Sequence, residues 1–160
     1  MSRQKSNQGF SLIELLIVVA IIGIIAAIAI PNLLASRRAA NEGSAQQSLR
    51  TMSSSEATYR STAGNGSYGP VDNLVNQSLI DATLGGGTKS GYNFTTGAAD
   101  PAVSSTVFTI GATPITTSGV TATGTRDFCI DQSGVLQANP TASGTVPTDC
   151  TAAGFVPVGN

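Results

Sequence analysis

A chain of 160 residues with a net charge of -1 at pH 7 has room for one modest folded core and its appendages. Its eight Lys and Arg are scattered apart from the pair Arg37 and Arg38, so no basic face marks nucleic acid as a direct partner. The absence of His removes the commonest general base and a leading metal ligand, and no other residues assemble a catalytic constellation; the expectation is a non-enzyme without cofactor or metal.

Residues 1–9, MSRQKSNQG, form a short leader that is basic through Arg3 and Lys5 and contains no acid. The run that follows, from Phe10 to Ile30, spans about 31 Å as a helix, the thickness of a bilayer's hydrocarbon core. A secretory signal would have a shorter apolar region with a small-residue cleavage site after it. Here the run is long and the small residue, Gly9, precedes it, so cleavage after the run is not expected. Arg3 and Lys5 on one flank are matched by Arg37 and Arg38 on the other, and counting alone gives no orientation. The first charged segment and the two cysteines, Cys129 and Cys150, break the tie: the leader is placed in the cytoplasm and the chain beyond about residue 35 outside, where disulfides persist.

Within this run stands Glu14. An acid at the centre of a membrane helix costs about 2.5 to 3.5 kcal/mol, less near an end, and calls for a named partner. Snorkelling into the headgroups or protonation would be the plain explanation. The functional one needs a cation at the same depth, and the nearest preceding basic side chain is Lys5. Cutting after Gly9 would create an α-amino group on Phe10, about 6 Å from Glu14 along the helix axis and best placed to meet Glu14 of a staggered neighbouring copy. Glu14 thus predicts both cleavage and self-assembly.

The stretch Gly9, Phe10, Ser11, Leu12, Ile13, Glu14, Leu15, Leu16, followed by VVAIIGIIAAIAIPNL, resembles the class III signal of type IV pilins and pseudopilins, most closely the type IVa pilins. The resemblance is specific over residues 5 to about 60 and architectural beyond. It implies cleavage between Gly9 and Phe10 by a membrane-embedded prepilin peptidase, N-methylation of Phe10, and pairing of Glu14 with a neighbour's N-terminal amine as subunits pass from the inner membrane into a helical homopolymer. It also implies an inner-membrane assembly machinery as partner, and unwinding between Gly23 and Pro31 on assembly. An isolated subunit is expected to keep a continuous, gently kinked helix there, since Pro31 removes a hydrogen bond and crowds the preceding turn.

The α+β fold expected is pilin-like: leader 1–9, a long helix 10–61 with membrane segment 10–30, and a head 62–160 built on an antiparallel sheet of about four strands. Beyond Pro31 the helix becomes amphipathic, with Ala45, Leu49, Met52 and Tyr59 on one face for packing on a sheet. No aromatic lies between Phe10 and Tyr59, so the filament core has none to stack. Residues 62–90 read as a loop bearing one short helix near 71–83. Gly64, Gly66 and Gly69 fit G-x-G-x-x-G but follow a helix, which defeats a dinucleotide reading, and GGGTK at 85–89 lacks the order of a phosphate loop and reads as a turn.

Strands are expected at 91–97, 106–112, 126–132 and 135–138, with Ser133 and Gly134 turning the last pair. The Thr, Ser and Gly-rich stretches between and after them suit exposed edges and loops. Asp127 and Asp131 fit no calcium loop and are expected on a solvated strand face, and the sequons at Asn65, Asn76 and Asn93 are weak signals. A Cys129–Cys150 disulfide would stabilise by about 3 kcal/mol and pin the C-terminal loop to the sheet; two buried thiols, or one reactive one, are the alternatives. By analogy with pilins, loop 130–149 would serve adhesion. Two functions follow: a pilin of an extracellular pilus used in adhesion, twitching motility or DNA uptake, or a pseudopilin of a type II secretion system with a periplasmic filament. A membrane-anchored periplasmic binding module is the distant alternative.

Overall fold

The structure is a computed structural model that describes residues 9–94 and 106–159. Leader residues 1–8 and the 95–97 end of the first expected strand lie outside them. The chain divides into two compact units, one up to Ala35 and one from Ser36.

In the first unit, helix α1 (Leu12–Ser61) begins at Leu12, and the helical backbone runs on through Gly23 and Pro31. Every large apolar side chain from Phe10 to Ile30 is exposed, so this segment is apolar around its whole circumference, a pattern suited to lipid or to packed sister helices. Its length and composition suffice to cross a membrane.

In the second unit, α1 turns amphipathic as expected. Ala45, Leu49 and Met52 are fully buried, and Tyr59 packs against the same core. The buried seam also contains Glu42, Ser48, Ser55 and Glu56. The region expected as one helix at 71–83 is two, α2 (Val71–Asn76) and α3 (Ala82–Gly85). Ser78 enters the left-handed region at φ 55°, the Leu79 N–H donates to Leu74 O and the Ser78 N–H to Val75 O, which closes α2 in a Schellman motif. Asp81 then caps α3 by accepting from the Leu84 N–H at 2.8 Å.

The sheet has six strands in simple antiparallel order, where about four were expected: β1 (Thr88–Lys89), β2 (Tyr92–Phe94), β3 (Thr109–Pro114), β4 (Asp127–Asp131), β5 (Leu136–Asn139) and β6 (Val156–Pro157). The two additions are short edges. The GGGTK turn runs into β1, and Ser90 and Gly91, both at positive φ, make the tight two-residue hairpin to β2. At the other edge the tail returns beside β5, pairing Ala138 with Val156, and Pro157 is tolerated because an edge strand can lack a donor.

Alternation along the strands separates two faces. Tyr92, Phe94, Ile110, Ala112, Phe128, Ile130, Leu136 and Ala138 form the core with α1. The other face carries Gly111, Thr113, Asp127 and Cys129, and these are buried too. Asp127, expected in solvent, is 1 % exposed, because the segment after β5 folds back over it. Asp131, at the strand end, stays partly exposed and accepts from the Ser133 N–H in the β4–β5 turn.

Candidate functional site

Gly9 and Phe10 precede the helix and are both exposed. A Cβ added to Gly9 would meet nothing within 4 Å, so nothing in the described fold requires glycine there. Ser11 sits at the helix N-cap and Glu14 three positions on, an S-x-x-E pattern. The Glu14 carboxylate reaches back and accepts the Ser11 backbone N–H at 3.3 Å, satisfying one donor that the first turn leaves open. Glu14 also stands where the helix dipole favours negative charge. Among the described residues neither ion pair involves it. Glu14 therefore has a role in its own chain that residue spacing around the leader did not bring out, and Ser11 is the residue that was overlooked; the four-residue capping pattern was the available signal.

Gly23 likewise has open space where a side chain would project, and Pro31 leaves the carbonyl one turn earlier without its usual donor. Glycine and proline are the residues least favourable inside a helix, and one stands at each end of this stretch.

In the second unit, Cys129 on β4 and Cys150 are joined by a disulfide, and both are buried. The loop it closes is held at further points. The Asp127 carboxylate accepts the Ser143 N–H at 2.7 Å and the Thr113 hydroxyl at 2.6 Å. The Ala142 N–H donates to Thr125 O. Gly111, paired across the ladder with Cys129, faces Pro147 so closely that any side chain would strike the Pro147 carbonyl. On the helix side, Glu42 of α1 clamps the start of β4: one oxygen accepts the Thr125 N–H and hydroxyl, the other takes Arg126 Nε and Nη2 at 2.9 and 2.7 Å. Burial alone would raise the Glu42 carboxyl, but these donors outweigh it and hold it below the usual range.

The family model for the prokaryotic N-terminal methylation motif matches residues 4–30. The type IV wide pilus major component PilA4 of Thermus thermophilus is 63% identical over 38 residues, 24% of this chain and 29% of that protein. Over its N-terminal stretch the chain is similar to type IV pilins. A second type IV pilin relative, the type IV major pilin protein PilA of Myxococcus xanthus, is 45% identical over 53 residues, 33% of this chain and 24% of that protein. The aligned stretch thus spans less than a third of the length of either type IV pilin.

Proposed function

We propose that this chain is a filament subunit, made as a single-pass inner-membrane precursor with its head in the periplasm, cut between Gly9 and Phe10 by a prepilin peptidase and N-methylated on Phe10. The observation that carries the reading is Glu14, an acid in the first turn of the otherwise apolar first half of α1, within the segment matched by the methylation motif. Cutting leaves the Ser11 N–H in place, so Glu14 keeps its local cap while gaining a free amine on Phe10 of a neighbour as counter-charge. Helix and lipid are alike apolar, so transfer of residues 10–30 into a bundle of sister helices need not expose them to water. Gly9, unconstrained by the fold, is then demanded by the peptidase's cleft. The segment from Gly23 to Pro31 is where the helix would unwind on assembly. The inner-membrane assembly machinery is the further partner.

The fibre is read as an extracellular pilus serving attachment, twitching or DNA uptake, with the disulfide-bound loop as a surface for contact; the buried Cys129–Cys150 bridge supports this reading over a secretion pseudopilus. The test is N-terminal sequencing and electron microscopy of sheared surface material. Wild type should yield fibres whose subunits begin at methylated Phe10; Gly9→Val should accumulate as uncut precursor in membranes; Glu14→Ala should be cut but fail to build ordered fibres. Intact, normal fibres from Glu14→Ala would remove the assigned role.

A further inference from the structure

Two glutamates lie on the buried seam of α1 and are treated in opposite ways. Glu42 accepts four hydrogen bonds from its surroundings, two of them from a guanidinium. Glu56 is completely buried; its Oε2 accepts the Gly69 N–H at 3.1 Å, while its Oε1 is buried with no hydrogen-bond partner among the described residues. A carboxylate held this way gives up its hydration for a single amide donor, whereas a neutral carboxyl is far less costly to bury.

The elements around Glu56 carry few ionisable groups: Tyr59 and Arg60 on the next turn of α1, Tyr68 in the following loop, Asp72 on α2, and Tyr92 on the inner face of the sheet. None of these charges shifts it. Burial pushes the Glu56 carboxyl up to about 7, against the smaller opposing pull of the Gly69 N–H.

The loop over Glu56, residues 62–70, is seated on α1 by specific contacts. The Tyr59 ring lies against Gly64 and Gly69, neither of which has room for a side chain, and the Tyr59 hydroxyl accepts from Asn73 Nδ2 at 3.0 Å. Arg60 donates from Nε to Gly66 O at 2.8 Å and from Nη1 to the Tyr68 hydroxyl at 3.1 Å, with its guanidinium 4.9 Å from the centre of the Tyr68 ring. Glu56 and Arg60 are four residues apart, acid first, the spacing at which such a pair attracts on an exposed helix. In this structure they do not pair: the arginine is turned to the loop.

We propose that Glu56 is a proton-controlled latch between α1 and loop 62–70: protonated, it stays beneath the loop on the Gly69 N–H; ionised, it favours a released loop in which it reaches water and pairs with Arg60. The closed loop binds the proton more tightly than the open one, so the latch holds at acidic pH and slackens as pH rises through the neutral range. A change in proton concentration then alters how firmly the exposed turn 62–67 is held, without any change in covalent structure.

The full-length chain in detergent micelles tests this by hydrogen exchange of residues 62–70, corrected for the intrinsic pH dependence of exchange. Between about pH 5.5 and about pH 8 the wild type should open more readily, on the order of tenfold. Glu56→Gln, which keeps the shape and the acceptor but does not ionise, should be equally protected at both. Wild-type protection that does not change, or a Gln variant that follows the wild type, overturns the proposal. If the Gln variant does not fold, carbon NMR of the wild-type glutamate carboxyls decides. A resonance titrating in the neutral range together with the Gly69 amide upholds the latch, and titration of all of them in the ordinary carboxylate range overturns it.

Discussion

Glycine is the residue whose purpose the structure changes most. Gly64 and Gly69, which together with Gly66 mimic a nucleotide-binding pattern, make room for the ring of Tyr59. Gly111 makes room for Pro147 where the disulfide loop crosses β3, and that contact joins residues far apart in sequence, so no local pattern announced it. Gly111→Ala should force the loop outward and cost about 1 to 3 kcal/mol by overpacking; thermal melting reads the loss, and faster proteolysis within residues 140–155 locates it. The seam glutamates were more legible than they were treated. Ala45, Leu49 and Met52 set a three-four rhythm that, carried in both directions, lands on Glu42 and Glu56 before reaching Tyr59. A face traced through apolar residues alone passes over them. Arg126→Ala would leave Glu42 buried without its guanidinium and should lower stability by about 2 to 3 kcal/mol, a loss that a chemical-denaturation midpoint measures directly.

At the scale of elements, α1, the central strands and the β4–β5 turn were visible because each writes its own periodicity or turn chemistry into consecutive residues. The edge strands were not, since β1 and β6 are two residues each and exist only because a neighbour offers a ladder. The split of α2 from α3 was hidden because Ser78 adopts positive φ without being glycine. The disulfide loop was expected to be tethered, and its burial of Asp127 was not. Reduction should release this element first: the bridge closes a loop with a sequence separation of 21, so breaking it should cost about 3 kcal/mol and lower the melting temperature by roughly 10 °C. Differential scanning calorimetry with and without reductant measures it, and an unchanged transition would deny the bridge its part in stability. In the apolar half of α1, Gly23→Ala removes an interior glycine that meets no neighbour, which should strengthen the helix by about 1 kcal/mol. If that segment must unwind to assemble, the same change should reduce the yield of sheared fibres while helix content by circular dichroism rises.

For the molecule as a whole, the two seam glutamates give the pH profile of stability a shape that neither gives alone. The Glu42 carboxyl is held below its ordinary value of 4.5 in the folded chain, so its contribution is complete above that value and drains away as pH falls through it. The Glu56 carboxyl has the opposite sign. It is raised to about 7, so the folded state is favoured while the group stays protonated in both states, below about 4.5, and loses that advantage progressively as pH rises toward 7. Between the two limbs the melting temperature should pass through a maximum at about pH 4.5 and decline toward neutrality. Glu56→Gln should flatten the neutral limb and leave the acid limb in place. Glu42→Gln should lower the curve and weaken its acid limb, because the uncharged amide cannot reproduce the pairing with Arg126. Thermal unfolding of the second unit, followed by near-ultraviolet circular dichroism of its tyrosines from about pH 4 to about pH 8, separates the two residues. A wild-type curve that stays level above pH 5 would mean that Glu56 finds its solvation elsewhere.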